Sequence, residues 1–362
     1  MREVIVIGST GSIGTQALEV IRANPDRLKV VGLSGFRNLD LLRAQAEEFG
    51  LTESKMAVGP DAAAALVRSQ SCDVVLNGMT GSAGLAVTVA ALERGRTLAL
   101  ANKESLIVGG PLVKQLSKPG QIVPVDSEHS AIAQAMLAGK NSEVQKLILT
   151  ASGGPFRGFS KAQLAQVTPA QALRHPTWDM GKVVTTNSAS LVNKGLEVIE
   201  AHLLFDVPFE RIEVTVHPQS VVHSMVEFVD GSVIAQCSPP DMKLPIALGM
   251  MWPERLAGVA QAVDWTKSHT WTFEPVDEAV FGSLRLAREV GMAGSTFPAV
   301  YNASNEQAVE AFHAGALRFD QIFDVIESCV SQHVPTAELS LAAVLEAERW
   351  ARVTADSLIA NL

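Results

Sequence analysis

Two short stretches of this chain, Asp126-Ser127-Glu128 and Asn193-Lys194-Gly195-Leu196-Glu197, together supply three carboxylates and a lysine. Carboxylate oxygens are the natural ligands of hard divalent cations, and a lysine beside them is a compact charge suited to phosphate. Asp126 and Glu128 follow an extended run at 122–125, where a two-residue period puts both side chains on one face, in reach of a single Mg²⁺ or Mn²⁺. Two acids at a strand end are also what a merely solvated edge looks like. Glu197 strengthens the metal reading only where the fold brings it near. On a helix, Asn193 and Glu197 stand one turn apart, with about 6 Å of rise between them. Asn187-Ser188 is the expected cap of that helix. A phosphate held by Ser188, Asn193 and Lys194 then lies a few ångströms from a metal held by Glu197. The plain alternative is a Lys194–Glu197 ion pair on a solvated face.

These groups come after a glycine-rich turn, Gly8-Ser9-Thr10-Gly11-Ser12-Ile13-Gly14, that joins an apolar run at 4–7 to a helix-like stretch. Glycines let backbone approach a pyrophosphate, and the helix N-terminus offers free N–H donors with partial positive charge. The spacing is looser than G-x-G-x-x-G. Its place at the head of a repeated β-α pattern favours a dinucleotide site over a bare strand-to-helix turn. The second run ends Leu33-Ser34-Gly35-Phe36-Arg37-Asn38, with no acid before Asp40. NAD sites place an acid there for the ribose hydroxyls, whereas Arg37 suits a 2′-phosphate, so NADP is expected. A solvated surface cation is the other reading of Arg37.

Further parts fit the same picture. Ser152-Gly153-Gly154-Pro155 follows a strand-like run and offers a hydroxyl and backbone donors to phosphate, or is a simple turn. Asn102-Lys103-Glu104 closes the fifth run, at the carboxyl edge where parallel sheets bind ligands, which makes Lys103 a candidate cation at a reacting carbonyl. The loop His175-Pro176-Thr177-Trp178-Asp179-Met180-Gly181 has the composition of a lid that excludes water, with a core-packed Trp178 as its alternative. His217 and His223 lie beside strands and read as structural.

The elements that must position these groups fall into three patterns. Apolar runs at 4–7, 30–33, 56–58, 73–76, 97–101 and 122–125 alternate with helical stretches, the signature of a Rossmann-like parallel sheet covered on both faces. The middle of the chain carries one long helical stretch at 188–204, then β-like runs at 212–216, 221–229 and 232–237, with Asp230-Gly231 as a hairpin turn. From 277 onward four helix-period stretches follow. The expected division is a cofactor domain at 1–125, a central α+β catalytic domain at 126–250, a linker at 251–276 and a C-terminal helical domain at 277–362. Net charge of −9 argues against nucleic acid and anionic membrane surfaces, and no apolar run approaches a bilayer span. Three widely spaced cysteines and the lack of a basic leader ahead of the first run point to a cytoplasmic protein with reduced thiols.

Taken in order, these segments resemble the 1-deoxy-D-xylulose 5-phosphate reductoisomerase family nearly end to end. The resemblance runs through Gly8–Gly14, Ala101–Ser105, Val125–His129, Ala151–Phe156, His175–Gly181, Asn193–Glu197, Val216–Ser220 and Pro240–Met242. It implies that Asp126, Glu128 and Glu197 bind Mg²⁺, Mn²⁺ or Co²⁺. It implies that Ser152, Ser188, Asn193 and Lys194 hold a sugar phosphate, with His175 in contact, and that Lys103 and Ser127 lie against the reacting carbons. Thr10, Gly11, Ser12, Ile13, Arg37, Asn38, Asn102, Glu104 and Gly181 would bind NADPH, with Met242 beside the nicotinamide and Trp178 and Met180 on a mobile lid. The implied chemistry is a retro-aldol and aldol rearrangement followed by hydride transfer from NADPH, giving 2-C-methyl-D-erythritol 4-phosphate for isoprenoid precursors, in a homodimer paired through its middle sheet. Three positions depart from the family pattern: Asn187 replaces an acid, Phe36 stands where glycine is common, and Asp179 adds a negative charge to the lid. The competing readings are a metal-independent NADP dehydrogenase of a semialdehyde or sugar, which leaves the three carboxylates unemployed, and a non-catalytic dinucleotide-binding regulator.

Overall fold

The computed structural model describes residues 1–178, 180–336 and 338–362, so Asp179 lies outside the described residues. The chain forms two compact units. The first comprises residues 1–106, 113–138 and 236–264, and the second residues 107–112, 139–235 and 265–362.

The first unit opens as an alternation of strands and helices: β1 (Arg2–Ile7), α1 (Ser12–Ala23), β2 (Leu28–Gly35), α2 (Leu39–Glu48), β3 (Met56–Val58), α3 (Pro60–Ser69), β4 (Val74–Asn77), α4 (Leu85–Glu93), β5 (Thr97–Leu100), α5 (Lys103–Leu116), β6 (Ile122–Pro124) and α6 (Ser127–Met136). Its six strands pair in the order β3-β2-β1-β4-β5-β6, all parallel. Val4, Ile5, Val6 and Ile7 have no exposed surface, because helices cover both faces of the central strand. The order reverses between β1 and β4, which makes the carboxyl ends of those strands the switch point.

The second unit continues with β7 (Val144–Ala151), α7 (Lys161–Leu164), α8 (Pro169–Ala172), α9 (Lys182–Ala189), α10 (Val192–Phe205), β8 (Ile212–Val216), β9 (Val222–Phe228) and β10 (Val233–Cys237). After β10 the chain supplies α11 (Lys243–Met251), which packs in the first unit: Ile246, Ala247, Met250 and Met251 share a core with β1, α1 and β2. It then returns through β11 (Glu274–Pro275) to α12 (Ser283–Ala293), α13 (Phe297–His313), α14 (Gln321–Gln332) and α15 (Leu341–Ile359). The second sheet has the order β10-β9-β7-β8-β11, with β7–β8 parallel and β7–β9 antiparallel. Asp230-Gly231 makes the expected hairpin turn, with Gly231 at φ +84°.

One expectation fails here. The helix read at 188–204 is two helices, α9 and α10, broken where Leu191 adopts the left-handed conformation at φ +59°. The break has no proline or glycine to announce it. A distant residue serves it instead: Ser283 Oγ donates to the Ser190 carbonyl, which has left the helical ladder.

Candidate active site

The glycine turn is built as its composition demands. Gly8 sits at φ +75°, and a Cβ there would stand 2.8 Å from the Gly78 carbonyl oxygen. A Cβ on Gly14 would lie 2.3 Å from the Gly8 carbonyl oxygen, so α1 can press against its own turn only as glycine. The turn is braced from β2 and α2. The Gly8 N–H donates to Ser34 Oγ at 3.1 Å, Ser9 Oγ donates to Gln45 Oε1 at 2.7 Å, and Gln45 Nε2 donates to the Ser9 carbonyl at 3.0 Å. Gly11 caps α1 without a side-chain bond, leaving the first N–H groups of that helix to a ligand. Gly11 and Ser12 are exposed there, Thr10 and Ile13 partly so. At the end of β2, Arg37 is exposed and makes no ion pair among the described residues, while Asn38 Oδ1 accepts from the Leu41 N–H and caps α2. Asn102 is fully buried: its Nδ2 donates to the Gly81 carbonyl and to Glu104 Oε2, and its side chain fills the space a Cβ on Gly84 would need. Met242 caps α11 and packs on the core of this unit.

The first acidic pair is placed differently from its sequence reading. β6 ends at Pro124, which has no N–H for a ladder, and α6 begins at Ser127, so the strand period does not govern these residues. Asp126 is the N-cap of α6, and Ser127 and Glu128 lie in its first turn. That end of a helix is positive and favours carboxylates, and both acids carry hard oxygen donors. Lys103, the first residue of α5, forms an ion pair with Asp126, both side chains being nearly buried. Ser127 Oγ donates to Glu128 Oε2 at 2.6 Å, and buried His129 sets its Nδ1 3.9 Å from Asp126 Oδ2. His129 was not singled out in sequence, although its place three residues beyond Asp126 on the same helix face could have drawn attention to it.

In the second unit, three segments converge on one imidazole. His175 Nε2 lies 3.0 Å from Ser152 Oγ, which follows β7, and 3.1 Å from Ser188 Oγ on α9. His175 Nδ1 accepts the N–H groups of Thr177 and Trp178 at 3.1 and 2.9 Å, so Nδ1 carries no proton and the ring N–H is on Nε2. The backbone of Thr177 and Trp178 is thereby tied, through His175, to the two hydroxyls. Gly154, at φ +65°, makes the approach feasible: a Cβ would stand 2.8 Å from the Ser188 carbonyl oxygen. Ser188 is in the last turn of α9 and does not cap the following helix, a consequence of the break at Leu191. Trp178 packs toward His223, and Met180 is partly exposed and Gly181 exposed where α9 begins.

On α10 both Asn193 Nδ2 and Lys194 Nζ donate to the carboxylate of Glu197. The Lys194 and Glu197 side chains are 5% and 1% exposed, so the solvated-face reading of this pair is wrong. Burying an ion pair is costly and seldom favoured for stability alone. Asn187 is buried with its Oδ1 unbonded among the described residues. His217 is structural as expected: its Nε2 accepts from the Val221 and Val222 N–H groups and its Nδ1 donates to the Thr272 carbonyl. A contact with no sequence signal joins α9 to the C-terminal helices, Thr186 Oγ1 to His313 Nε2 at 2.7 Å.

Family models described as 1-deoxy-D-xylulose 5-phosphate reductoisomerase match residues 4–53 and 50–110, and models of its C-terminal domains match 122–205 and 237–354. The curated protein of that name from Leifsonia xyli subsp. xyli is 64% identical over 99% of both chains. The chain belongs to the 1-deoxy-D-xylulose 5-phosphate reductoisomerase family. The reductoisomerase of Kitasatospora griseola is 56% identical over 99% of this chain and 100% of its own. Among solved structures, the reductoisomerase from Zymomonas mobilis in complex with NADPH superposes with a TM-score of 0.92 at 39% identity, covering 100% of both chains. A second, described as a complex with NADPH, fosmidomycin and magnesium, gives 0.92 at 34% identity over 99% of this chain and 98% of its own. The reductoisomerase fold is thus the one observed: a six-stranded parallel sheet, a mixed second sheet and a helical C-terminal region.

Proposed function

We propose that this chain is an NADPH- and divalent-metal-dependent enzyme that converts 1-deoxy-D-xylulose 5-phosphate to 2-C-methyl-D-erythritol 4-phosphate. The observation that carries the reading is the cluster at the start of α6, where Asp126 and Glu128 present carboxylates and Lys103 pairs with Asp126. A metal-independent dehydrogenase has no use for that donor set. We assign Asp126, Glu128 and Glu197 to the metal, because all three offer hard carboxylate oxygens. When bound, Mg²⁺ or Mn²⁺ supplies Lewis acidity at the substrate's carbonyl and adjacent hydroxyl oxygens. When bound at the Gly8–Gly14 turn, NADPH supplies the hydride, and the clash of any Cβ at Gly8 or Gly14 fits that assignment.

The chain's own groups have separable tasks. We assign Ser152, Ser188 and the His175 Nε2–H to a neutral cradle for the phosphate, and Lys194 with Asn193 to the charge and further donor it needs. Binding energy from that remote group is available to orient the reacting carbons and close the 175–181 segment, since His175 holds the backbone of Thr177 and Trp178. Lys103 and Ser127 are assigned to the reacting oxygens. By task, we assign residues 1–125 to the cofactor, 126–250 to the metal and substrate, 277–362 to helical support and 251–276 to a linker, although 113–138 and 236–264 pack in the first compact unit. Homodimer formation is proposed through β10, an edge strand with Val233 and Ile234 exposed at 44% and 38%. A cytoplasmic setting suits three unpaired thiols, of which Cys72 and Cys329 are buried with burial raising both pKa values to about 11. Among the described residues no helix is long and apolar enough to cross a membrane.

The test is NADPH consumption with 1-deoxy-D-xylulose 5-phosphate in Mn²⁺ or Mg²⁺, then with chelator. Metal-dependent consumption yielding the branched phosphate is expected. Consumption that survives chelation would remove the metal from the reading, and none with any metal would leave a cofactor-binding regulator.

A further inference from the structure

Strand β2 is buried from Val30 to its end at Gly35, and the next residue, Phe36, is 64% exposed. The ring leans across the end of β3, its edge 3.9 Å from where a Cβ would stand on Gly59. Phe36 therefore lies at the carboxyl ends of two neighbouring strands, with Arg37, which makes no ion pair among the described residues, next in the chain. A ring open to solvent at the carboxyl edge of a parallel sheet stands where such sheets bind their ligands, and is available to one.

The sheet order gives its place relative to a dinucleotide. The pyrophosphate belongs at the turn after β1, and the order β3-β2-β1-β4 sends one half of the cofactor over β2 and β3 and the other over β4. The half over β2 meets Arg37, the residue suited to a 2′-phosphate, so it is the adenosine half. We propose that Phe36 is the platform on which the adenine base stacks, adding base affinity to the charge that Arg37 directs at the 2′-phosphate. Aromatic rings accept any base face, and exposure leaves the ring available without rearrangement. This assignment rests on the reading of the Gly8–Gly14 turn as the NADPH site.

Equilibrium binding, followed by the cofactor's own fluorescence and by competition with adenosine 2′,5′-bisphosphate, tests it without turnover. Phe36→Gly is expected to weaken NADPH by about tenfold. It should weaken the bisphosphate, which lacks nicotinamide, by the same factor, and weaken NADH equally so that the NADPH-to-NADH preference is kept. Phe36→Trp should restore affinity, which mere loss of packing would not predict. Arg37→Ala should instead lower the preference for NADPH over NADH. Phe36→Gly binding NADPH as tightly as the parent, while Gly14→Val abolishes binding, would overturn the platform and leave the cofactor site intact. A parent chain that binds no NADPH would overturn both. Because the ring is exposed, an unchanged melting temperature in Phe36→Gly is expected and separates lost stacking from lost folding.

Discussion

Glu197 is the residue where stability and chemistry pull apart. Its carboxylate is 1% exposed and accepts from both Asn193 and Lys194, so Glu197→Gln keeps a hydrogen-bonding side chain of the same shape while removing the charge. Turnover is expected to fall by at least about a hundredfold, as when one strong electrostatic group is lost, with NADPH affinity unchanged. Undiminished turnover in that variant would end the metal assignment. The same change removes the Glu197 charge from beside buried Lys194, and a cost of about 3 kcal/mol in denaturant unfolding is expected. At the glycine turn the prediction is steric. Gly14→Val would force heavy atoms to within 2.3 Å of the Gly8 carbonyl oxygen, so NADPH binding should be lost while the second unit keeps its helical circular dichroism.

At the scale of elements, the loop after β7 and the helix α9 meet through Gly154, and that contact sets where Ser152 and Ser188 stand around His175. Gly154→Ala places a side chain at φ +65°, costing about 1–2 kcal/mol, and pushes on the Ser188 backbone. The expected kinetic result is a KM for the sugar phosphate raised about tenfold with NADPH binding unaffected; an unchanged KM would dissociate the cradle from phosphate. The C-terminal helices carry a pH dependence. Burial lowers the pKa of His313 from 6.5, with Lys182 adding to it, and burial lowers that of His333 likewise. A depressed histidine holds fewer protons folded than unfolded. Its contribution is therefore complete above the unfolded value near 6.5 and is lost as pH falls through the folded one. The melting temperature should drop on going from about pH 7 to about pH 5, and drop less in His313→Leu, which removes one of the two groups. Parallel curves for the two proteins would refute the role of His313.

For the whole molecule, ligands that bind only the folded chain must stabilise it. NADPH at a hundred times its Kd is expected to add about 2.7 kcal/mol, read as a rise in melting temperature, and the rise should vanish in Gly14→Val. Much of this architecture was legible beforehand because it rests on local rules. The runs at β1, β2, β4 and β5 are apolar without alternation, which only a sheet covered on both faces explains, and Gly8 and Gly14 declare a turn that no side chain could enter. The inventory of donors, from Asp126 and Glu128 to Lys194 and Glu197, is likewise a property of the sequence alone. Placement was not. Period two put Asp126 and Glu128 on a strand face, whereas Pro124 ends the strand and the following residues open a helix. Helical period ran through Leu191, where a carbonyl taken by Ser283, more than ninety residues later, breaks α9 from α10. Residue type and spacing determined which chemistry the chain can hold, because propensity, sterics and hydrophobic period act over a few residues. Only the tertiary structure decided that Lys103 pairs with Asp126, that Lys194 and Glu197 are buried and that His175 joins two serines, because burial and contact between distant segments are fixed by packing.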